Sequence, residues 1–353
     1  MTTRSSNAES GSVISEREKW VAFYQNTSIL VTGGRGHIGS SLIQALSAIP
    51  CTIVSLSRER SRIDLPVSGV AHLIEVEGDI REQTVWPRVL RDANFVFHFA
   101  GQTSAYVAND DPMADLKVNG LPVLQLLEIC RQQRLSPKVL FAGTVTEVGV
   151  PVRLPVDEAT AEYPITIYDI HKLLAEKYLR FYAAGGMVPT VTLRLSNVYG
   201  PGPRTTTADR GVLNRMMRMA LEGKSLDVYG EGNLVRDYIF IEDVVRAFLT
   251  AGANMDAVSG NYYVIGTGIG HRIIDAVNLV ADRAALKTGR RPQVQHVPPP
   301  SGLSPIEDRN FIADTTRFRS ITGWVPQVSL VEGIDRTLDY YLDQMAVGWR
   351  RSL

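Results

Sequence analysis

The chain has 353 residues, 44% of them hydrophobic and 21% charged, which is ordinary for a globular protein that buries a large core. Lysine plus arginine equal aspartate plus glutamate at 37 each, so the charge balance gives no reason to expect nucleic acid or an anionic membrane as partner. No apolar run approaches the roughly eighteen residues of a membrane span, and no apolar core follows the N-terminal charges. Cys51 and Cys130 lie in apolar segments and predict buried thiols, neither a disulfide nor a metal site. We expect a cytoplasmic protein.

The first predicted elements belong to a polar N-terminal extension. Residues 1–14 are rich in Ser, Thr, Asn and Gly and predict disorder. The segment SEREKWVAFYQ predicts a short helix, in which Ser15 and Glu18 have the spacing of a capping box. Trp20 and Phe23 would dock that helix on the main body.

Strands and helices alternate from Ser28 onwards. The predicted strands include SILVTG, CTIVSLS, FVFHFAG, KVLFAGT and TVTLRLSNVYG, several of them continuous apolar runs, as parallel strands covered on both faces should be. The predicted helices between them include GHIGSSLIQALSAI, VNGLPVLQLLEICRQQ and YDIHKLLAEKYLRFYAA. This alternation indicates an α/β fold with a Rossmann-type, doubly wound parallel sheet.

The chain changes character after Tyr199, where the long loops GPGPRTTTADRG and HVPPPSGLSPIEDRN appear. We assign a dinucleotide-binding domain to 27–198 plus about 236–268, because YIFIEDVVRAFLTA and NYYVIGTG resemble further sheet elements. A smaller, interleaved C-terminal substrate lobe is assigned to 199–235 plus about 269–353. The N-terminal extension occupies 1–26.

A glycine-rich turn lies between the first predicted strand and its helix. VTGGRGHIG contains Gly33, Gly36 and Gly39. Glycine lets the backbone turn tightly and approach a pyrophosphate, and the helix start supplies amide donors and a positive dipole. The strand–turn–helix order favours a dinucleotide site over an ordinary tight turn. His37 and Ile38, at the helix start, would belong to that site.

Two later strand ends would contact the same cofactor. In GDI, Asp79 beside Ile80 would accept a hydrogen bond from an adenine amino group, the alternative being a helix cap. In HFAG, the small residues Ala100 and Gly101 suit close approach by a cofactor. His98 lies in the apolar strand and is more typical of a core histidine than of a ligand.

The segment YDIHK places Tyr168 and Lys172 four residues apart, on one face of a helix. A nearby ammonium favours a phenolate and lowers the pKa of a tyrosine, which acid–base catalysis at neutral pH requires. Thr144, at the end of the strand KVLFAGT, offers a hydroxyl that would orient the reacting oxygen. The structural alternative is a surface tyrosine with a snorkelling lysine, and the upstream glycine turn favours catalysis.

These motifs, together with RLSNVYGPG and RDYIFIEDV, resemble the extended short-chain dehydrogenase/reductase family over about residues 28–340. Its members are nucleotide-sugar epimerases, dehydratases and reductases. The resemblance implies that Tyr168 is the proton donor or base and that Lys172 holds the nicotinamide ribose. It also implies that Thr144 hydrogen-bonds the sugar oxygen and that Asn119, in KVNG, supports the active site or a structural water.

The resemblance further implies a nucleotide-sugar substrate. Its contacts would be to the pyrophosphate from Asn197, Arg236 and Arg309, near the base from Val228 in LDVYG, and in the sugar pocket from Thr103, Thr144 and Thr146. An arginine pair suits phosphate because the guanidinium fork matches its oxygens. The alternative for Arg236 is a salt bridge to Asp237 or a neighbour.

Departures from the family pattern bear on the reaction. Family 4,6-dehydratases have an Asp-Glu pair after the threonine, whereas this chain has Val145 and Thr146, which cannot serve as that acid and base. Glu147 comes one place later, and strand alternation would turn it to the opposite face. These differences argue against a dehydratase.

The residues about twenty places past the glycine turn bear on the cofactor, because an acidic residue there usually binds the adenosine ribose. This chain has SLSRERSR instead. Ser57 and Arg58, with Arg35 from the glycine turn, would bind a 2′-phosphate, whereas Arg60 and Arg62 are expected to be solvated loop residues. The sequence therefore favours NADP(H), with NAD(H) possible.

An NADPH enzyme of this family more often performs one-way reduction than redox-neutral epimerisation. The C-terminal segments also resemble those of NDP-4-keto-6-deoxyhexose 4-ketoreductases of deoxysugar pathways. The sequence thus predicts NADPH-dependent reduction of a nucleotide-linked 4-keto-6-deoxyhexose at C4, with Tyr168 as proton donor. The alternative is an NAD-dependent nucleotide-sugar 4-epimerase. A non-catalytic dinucleotide-sensing regulator is disfavoured, because such relatives typically lose the tyrosine or the lysine.

The resemblance also implies a homodimer. The family often dimerises by packing the helix that contains YxxxK against the helix after KVNG. Leu124, Leu127, Leu173 and Leu174 would serve either that contact or the intramolecular core.

Overall fold

The computed structural model describes residues 16–58, 69–203 and 211–350. Three predictions fall outside these ranges: the disorder of residues 1–14, the capping role of Ser15, and the loop character of Arg60 and Arg62. Most of the GPGPRTTTADRG loop also lies outside them.

The described strands are β1 Ser28–Thr32, β2 Thr52–Ser57, β3 His72–Glu77, β4 Phe95–His98, β5 Lys138–Thr144, β6 Thr190–Leu195, β7 Asn197–Tyr199, β8 Leu226–Tyr229, β9 Val235–Phe240, β10 Asn261–Ile265, β11 Gly270–Arg272 and β12 Val294–Val297. Seven of them form one sheet in the order β3-β2-β1-β4-β5-β6-β10, and every neighbouring pair is parallel. This arrangement contains the 3-2-1-4-5-6 order of doubly wound dinucleotide-binding sheets. The predicted fold class is confirmed.

The described helices are α1 Glu16–Tyr24, α2 His37–Leu46, α3 Val85–Leu90, α4 Ala105–Asp110, α5 Pro112–Asp115, α6 Leu121–Gln133, α7 Ile167–Ala184, α8 Val212–Leu221, α9 Ile241–Ala253, α10 Met255–Val258, α11 Ile273–Thr288, α12 Thr316–Thr322 and α13 Leu330–Arg350. A π-helical turn at Leu116–Gly120 precedes α6, and short 3-10 turns lie at Val145–Val148 and Pro305–Asp308. No described helix is long and apolar enough to cross a membrane.

Helices cover both faces of the main sheet, as its apolar strands require. On one face α1, α2 and α9 enclose a core that includes Leu42 and Phe248. On the other, α3, α6 and α7 enclose Trp86 and Leu179. A third core, among α8, α11, α13 and β8, belongs to a smaller lobe. Because helices cover both faces of the sheet, ligands can bind to this domain only at the ends of the strands.

The division into two interleaved lobes stays a prediction, and two segments pack across the boundaries assigned to them. Strand β9 lies outside the main sheet, in a three-stranded sheet of order β11-β9-β7. Segment 236–240, assigned to the dinucleotide-binding domain, therefore pairs with both β7 and β11. Phe318 and Trp324, in the segment assigned to the substrate lobe, pack in the core of the main sheet. Their rings contact each other there, and burial of their large apolar area stabilises this position.

The docking of the N-terminal helix is confirmed. Trp20 and Phe23 of α1 pack, half-buried, against the core of the main sheet. Tyr24, which the sequence analysis did not single out, is completely buried. Its hydroxyl donates a 2.7 Å hydrogen bond to the Leu249 carbonyl. The centroid of its ring lies 5.0 Å from the centroid of the Phe95 ring.

The cysteine and leucine predictions have separate outcomes. Cys51 and Cys130 are free and buried, as predicted, and burial raises the pKa of their thiols to about 11 and about 12. Leu127 is completely buried and serves the intramolecular core. Leu124, Leu173 and Leu174 are half-buried, and the dimer itself stays a prediction.

Candidate active site

The strand order changes direction at β1, which lies between β2 and β4. Ligands of doubly wound sheets bind in the crevice at such a point, beyond the carboxyl ends of the strands. Gly33 follows β1 with φ +69°, and a Cβ atom there would lie 2.8 Å from the Ala100 nitrogen. Thr32 Oγ1 accepts hydrogen bonds of 3.2 Å from the Phe99 and Ala100 amides. The glycine turn and the HFAG segment thus meet at one edge of the sheet, as predicted.

Helix α2 starts directly on the glycine turn. The Gly36 amide donates to the Gly33 carbonyl at 2.8 Å, and a Cβ atom at Gly39 would come within 2.3 Å of the same oxygen. No side chain caps the helix, and its first turn contains no acidic residue. Its first amides can therefore bind an anion such as a pyrophosphate.

The side chains at the start of α2 also join the two lobes. His37 Nε2 lies 3.0 Å from the Pro201 carbonyl, and burial lowers the pKa of this imidazole. Ile38 packs against the cores of both the main sheet and the smaller lobe. The side chains of His37 and Ile38, predicted to touch the cofactor, thus pack between the two lobes. The backbone of these two residues lies at the start of α2, beside the crevice.

At the expected adenosine end, Ser57 is half-buried and Arg58 is exposed. Arg35, predicted to bind a 2′-phosphate, forms a 2.5 Å ion pair with Glu75 of β3. The sequence analysis missed Glu75, because its strand is brought beside the turn only by the sheet. A carboxylate at this place opposes the binding of a phosphate.

Asp79, predicted to accept from an adenine amino group or to cap a helix, is paired with a nearby arginine, and its neighbour Ile80 is buried. Asp79 accepts a 2.9 Å hydrogen bond from Arg81 Nε, and this partner, with a contribution from Arg58, lowers the pKa of the carboxyl. Ile80 is buried in the core beside Trp86. An adenine amino group would have to share the Asp79 carboxylate with Arg81.

The predicted core role of His98 is confirmed. Its ring is buried and stacks on Phe141 with centroids 5.8 Å apart. Burial, assisted by the charge of Lys172, lowers the pKa of the imidazole to about 3. A histidine that stays neutral in this way is part of the packing beneath the site.

Thr144, Tyr168 and Lys172 lie where α7 packs along β5. Thr144 is the last residue of β5, and Tyr168 is the second residue of α7. Lys172, one turn later, is only 7% exposed, and its Nζ lies 4.0 Å from the Phe141 ring centroid. Burial lowers the pKa of this ammonium to about 8, opposed by the charges of Glu147 and Asp115. A buried lysine does not fit the alternative of a surface tyrosine with a snorkelling lysine.

A line of hydrogen bonds connects Thr144 to a buried carboxylate. Thr144 Oγ1 lies 2.7 Å from Thr146 Oγ1, and the Thr146 hydroxyl donates to Asp169. The other oxygen of Asp169 accepts from Thr166 Oγ1 at 2.7 Å, and Thr166 caps α7. The sequence analysis missed Asp169, although an acidic residue directly after the tyrosine of YDIHK was visible.

Glu147 faces away from Thr146, as predicted, but not because of strand alternation. Strand β5 ends at Thr144 and continues as a 3-10 turn, in which Glu147 Oε1 accepts from the Thr144 amide at 3.1 Å. Arg194 of β6 places its Nε 2.9 Å from Glu147 Oε2 and donates to Glu176 at 2.8 and 2.7 Å. Burial raises the pKa of Glu147 to about 8.

The Asn119 side chain is hydrogen-bonded to the loop that follows β4. Its Nδ2 donates to the Gln102 carbonyl at 3.0 Å and to Asp115 Oδ1 at 2.8 Å. Its buried Oδ1 has no partner in the structure, and a Cβ atom at Gly101 would lie 2.7 Å from it. Asp115 Oδ2 also lies 2.7 Å from His171 Nδ1, so His171 belongs to this network.

Arg236 and Arg309 lie together, 5% and 8% exposed. Arg236 donates to the Glu307 carbonyl at 2.7 Å and to the Arg309 carbonyl, and its Nη2 lies 3.7 Å from Glu307 Oε2. Burial and the neighbouring Arg309 lower the pKa of Arg236 to about 10. The buried Arg309 Nε has no partner. Two adjacent guanidinium groups whose charges are only partly balanced by a carboxylate form a site suited to an anion.

The alternative for Arg236, a salt bridge to Asp237 or a neighbour, is confirmed for a neighbour, because Arg236 pairs with Glu307 at 3.7 Å. The Asp237 carboxylate instead accepts from the amides of Thr267, Gly268 and Ala313 at 2.8, 3.0 and 3.1 Å. Asn197, predicted at the pyrophosphate, is half-buried and donates to the Asp237 carbonyl at 3.1 Å.

Val228 and Thr103 have opposite environments. Val228 is only 1% exposed, and its side chain lies in the core of the smaller lobe with those of α8 and α11. Its place near the base stays a prediction. Thr103 is exposed on the loop after β4. In the described part of the chain, no cluster of three or more His, Cys, Asp or Glu residues is placed to hold a metal ion.

A sheet of this order, with a tyrosine–lysine helix along β5 and a threonine at the end of that strand, is the architecture of extended short-chain dehydrogenases/reductases. Residues 29–266 match the model of the NAD dependent epimerase/dehydratase family. The chain belongs to that family.

Relatives of known name are similar over nearly their full length. The UDP-glucose 4-epimerase of Mycolicibacterium smegmatis is 29% identical over 323 residues, covering 88% of this chain and 97% of that protein. The structure of a Thermotoga maritima UDP-glucose 4-epimerase with UDP-glucose superposes with a TM-score of 0.79 at 30% identity, over 90% of this chain and 100% of the other. A Thermus thermophilus UDP-glucose 4-epimerase in complex with NAD gives 0.77 at 30% identity, over 90% and 99%.

Proposed function

We propose that the protein is a nucleotide-sugar 4-epimerase that oxidises and re-reduces the sugar at C4 with a bound nicotinamide dinucleotide. The observation that supports this most is the likeness to UDP-glucose 4-epimerases along nearly the whole chain. Thr144 at the end of β5 and the Tyr168–Lys172 pair on α7 are the residues we assign to the chemistry. The relatives reported above favour the epimerase over the 4-ketoreductase that the sequence ranked first.

The residues at the crevice fit a nicotinamide dinucleotide. The start of α2 has no side-chain cap, which suits a pyrophosphate. Gly33 lies so close to the Ala100 backbone that no Cβ atom fits between them. The orphaned Asn119 Oδ1 lies under Gly101. Once bound, the dinucleotide supplies a hydride acceptor and donor.

We infer that the cofactor is NAD(H), in contrast to the preference for NADP(H) drawn from the sequence. The support is the Arg35–Glu75 ion pair, which gives the main candidate phosphate ligand a carboxylate partner. The NAD complex of the Thermus relative agrees with this choice. The exposed Arg58 is the observation that keeps NADP(H), and with it a 4-ketoreductase, as the second candidate.

The chain's own residues would perform the proton chemistry. Tyr168 accepts the proton of the C4 hydroxyl during oxidation and returns it during reduction. The Lys172 ammonium favours the phenolate form of Tyr168, and Thr144 orients the sugar oxygen. Because Lys172 and Thr144 are held on a helix and a strand packed together, no reorganisation is needed at the moment of transfer.

The substrate class follows from the two arginines. Arg236 and Arg309 would bind the pyrophosphate of a nucleoside diphosphate sugar, supplying the buried Arg309 Nε with an acceptor. Asn197 would assist from β7. The homodimer and the cytoplasmic location remain predictions.

Incubating the purified protein with UDP-glucose, with NMR detection of its C4 epimer, tests the proposal. Epimer formation without net change in dinucleotide absorbance is expected. Stoichiometric loss of NADPH on a dTDP-4-keto-6-deoxyhexose would instead establish the reductase. Tyr168→Phe should lower kcat by about 10²-fold or more while UDP-glucose binding persists. Binding of neither nucleotide sugar would overturn both candidates.

A further inference from the structure

Glu147 is a completely buried carboxylate beside Thr144 that the chemistry above does not use. It lies in the 3-10 turn that continues β5. Its Oε1 accepts a 3.1 Å hydrogen bond from the Thr144 amide, and a Cβ atom at Gly143 would lie 3.3 Å from the same oxygen. The carboxylate is therefore packed beneath the end of β5 and cannot touch a substrate.

Glu147 belongs to a cluster of charged side chains around α7. The cluster contains three carboxylates and three cations, namely Glu147, Glu162, Glu176, Lys172, Lys177 and Arg194. Glu176 lies one turn after Lys172 on α7, and both side chains are buried. Positive and negative charges are equal in number, so each carboxylate can be matched to a cation.

The contacts of Arg194 show which carboxylate it serves least. Arg194 donates to the two oxygens of Glu176, from Nε at 2.8 Å and from Nη2 at 2.7 Å. Glu162 contacts Arg194 at 2.6 Å and also Lys177 at 2.5 Å. Glu147 Oε2 lies 2.9 Å from Arg194 Nε but receives no hydrogen bond from the described residues. Because Arg194 and Lys177 serve the other two carboxylates, the charge of Glu147 remains for the third cation of the cluster.

We propose that Glu147 is a positioning residue that keeps Lys172 charged, because it loses its own proton in the pH range where Lys172 would otherwise lose one. The inference rests on the proposed function, in which the Lys172 ammonium favours the phenolate of Tyr168. A neutral amine would leave the phenolate without this support. Glu147 thereby extends the activity of the Tyr168–Lys172 pair towards alkaline pH.

The groups that face Lys172 agree with this role. Burial lowers the pKa of Lys172 to about 8, and the charges of Glu147 and then of Asp115 raise it. Asp115 also contacts His171 at 2.7 Å, so its charge is shared. The imidazole of His98 faces Lys172 from β4 and, with a pKa of about 3, stays neutral. Glu147 is thus the main carboxylate acting on this ammonium.

Glu147 titrates in the same range as its partner. Burial raises the pKa of Glu147 to about 8; the charge of Arg194 opposes this rise, and that of Glu176 adds to it. The hydrogen bond from the Thr144 amide and the charge of Lys172 also lower this pKa. When two coupled groups titrate together, the contacts of each decide which one releases its proton first.

Local contacts favour release from Glu147. The Lys172 Nζ lies 4.0 Å from the Phe141 ring centroid, and the face of an aromatic ring stabilises a cation. The Thr144 amide donates to Glu147, and this bond strengthens when the carboxyl ionises. Both contacts stabilise the pair of ammonium and carboxylate relative to the pair of neutral amine and carboxylic acid.

The first experiment titrates Lys172 without added ligand. With ¹³Cε-lysine labelling, its signal is assigned by its absence in Lys172→Met. Glu147→Gln keeps an acceptor for the Thr144 amide but removes the charge, so the Lys172 midpoint should fall by about one to two pH units. Glu147→Asp keeps the charge and should hold the midpoint near the wild-type value. An unchanged midpoint in Glu147→Gln would overturn the inference.

Glu162→Gln is the matched control. It removes another carboxylate from Arg194, at a part of the cluster that Lys177 also serves. The Lys172 midpoint should stay at the wild-type value. An equal fall in Glu162→Gln and Glu147→Gln would assign the effect to the whole cluster and refute a specific role for Glu147.

A reciprocal measurement does not depend on the folding of Glu147→Gln. With ¹³C-glutamate labelling, the Glu147 carboxyl is assigned by its absence in Glu147→Asp. Loss of the ammonium in Lys172→Met should raise the Glu147 midpoint by a comparable one to two pH units, roughly, because coupling between two sites is reciprocal. A Glu147 midpoint that stays in place would show that the two groups are not coupled.

A pH profile separates this inference from the proposed function. With UDP-glucose as substrate, the alkaline limb of kcat/KM should move to lower pH in Glu147→Gln, together with the Lys172 midpoint. A limb that stays in place while the midpoint falls would overturn the link to catalysis. If the protein turns over no nucleotide sugar, the proposed function fails, and the two titrations still decide whether Glu147 keeps Lys172 charged.

Discussion

Arg194 is the residue around which the buried charges of this molecule are arranged. Its side chain is 1% exposed, and Glu147, Glu162 and Glu176 lie within 2.6–2.9 Å of its nitrogens. Its guanidinium also lies 3.6 Å from the Tyr262 ring centroid. Three carboxylates share this single cation, and burial favours the protonated form of Glu147, whose pKa is raised.

The first prediction concerns Glu147 and the pH dependence of stability. Its folded pKa is about 8, against an ordinary value of 4.5. Between these values the folded state binds more protons than the unfolded state, so stability from this group is present below pH 4.5 and is lost as the pH rises towards 8. Relative to Glu147→Gln, the wild type should lose on the order of 5 kcal/mol across this window, about 1.4 kcal/mol for each unit of the pKa difference. Urea unfolding at several pH values measures this. Parallel stability profiles would contradict it.

The second prediction concerns Glu75 and cofactor choice. Glu75→Gln releases Arg35 from this carboxylate and removes a negative charge that opposes a 2′-phosphate. The affinity for NADP⁺ relative to NAD⁺ should rise about tenfold, as expected for gaining one charge-assisted contact. Isothermal titration with both dinucleotides measures it. Glu77→Gln, two residues along the same strand, is the control and should leave the ratio unchanged. A ratio unaffected by Glu75→Gln would remove the argument for NAD(H).

At the scale of elements, the start of α2 shows how tightly strand, turn and helix are fitted. The helix N-terminus can face a cofactor only because the glycine turn lets β1, the HFAG loop and α2 approach one another. A side chain at Gly39 would meet the backbone of Gly33, which has no flexible end to move aside. The backbone at the start of α2, more than any side chain in this helix, forms the anion site.

The third prediction is that Gly39→Ala weakens dinucleotide binding by more than about tenfold. Alanine is favoured over glycine within a helix by about 1 kcal/mol, so a loss would come from the 2.3 Å approach of its Cβ to the Gly33 carbonyl. Gln44→Ala, at an exposed position of the same helix, is the control. Titration calorimetry with NAD⁺ measures the effect. Wild-type affinity in Gly39→Ala would show that the turn relaxes without cost.

At the scale of the whole molecule, two aspartates of RDYIFIEDV join segments that are distant in sequence. Asp237 binds the backbone at Thr267, Gly268 and Ala313. Asp243 accepts from the amides of Gln327 and Val328 at 2.9 and 3.0 Å. The motif thereby connects the main sheet to the C-terminal chain that enters the smaller lobe.

The fourth prediction is that Asp243→Asn destabilises the fold by about 3–5 kcal/mol, because an amide removes the charge that pairs with Arg246 and places N–H against N–H. Glu242→Gln is the matched control. Its exposed pair with Arg336 should contribute less than about 1 kcal/mol. Urea unfolding compares the two variants. Equal stabilities would contradict a joining role for Asp243.

The sequence alone determined the features that are local in the chain. Strand–helix alternation, the glycine turn and the Tyr168–Lys172 spacing each follow from periodicity or backbone geometry within about twenty residues. These features are sufficient to predict the fold class and to predict a site at the carboxyl ends of the strands. The short helix α1 was found in the same way.

Only the tertiary structure decided which charges face one another. Glu75 meets Arg35, Asp169 reaches Thr146, and Arg194 gathers three carboxylates, each across an interval of sequence that contains no pattern. The burial of the Val228 side chain was not visible in the sequence for the same reason, since its strand forms the inner wall of a lobe. Such contacts depend on how elements pack, and packing is set by the summed burial of many apolar side chains, not by any local spacing. The reaction that the site supports therefore depends on partners that the sequence could not pair.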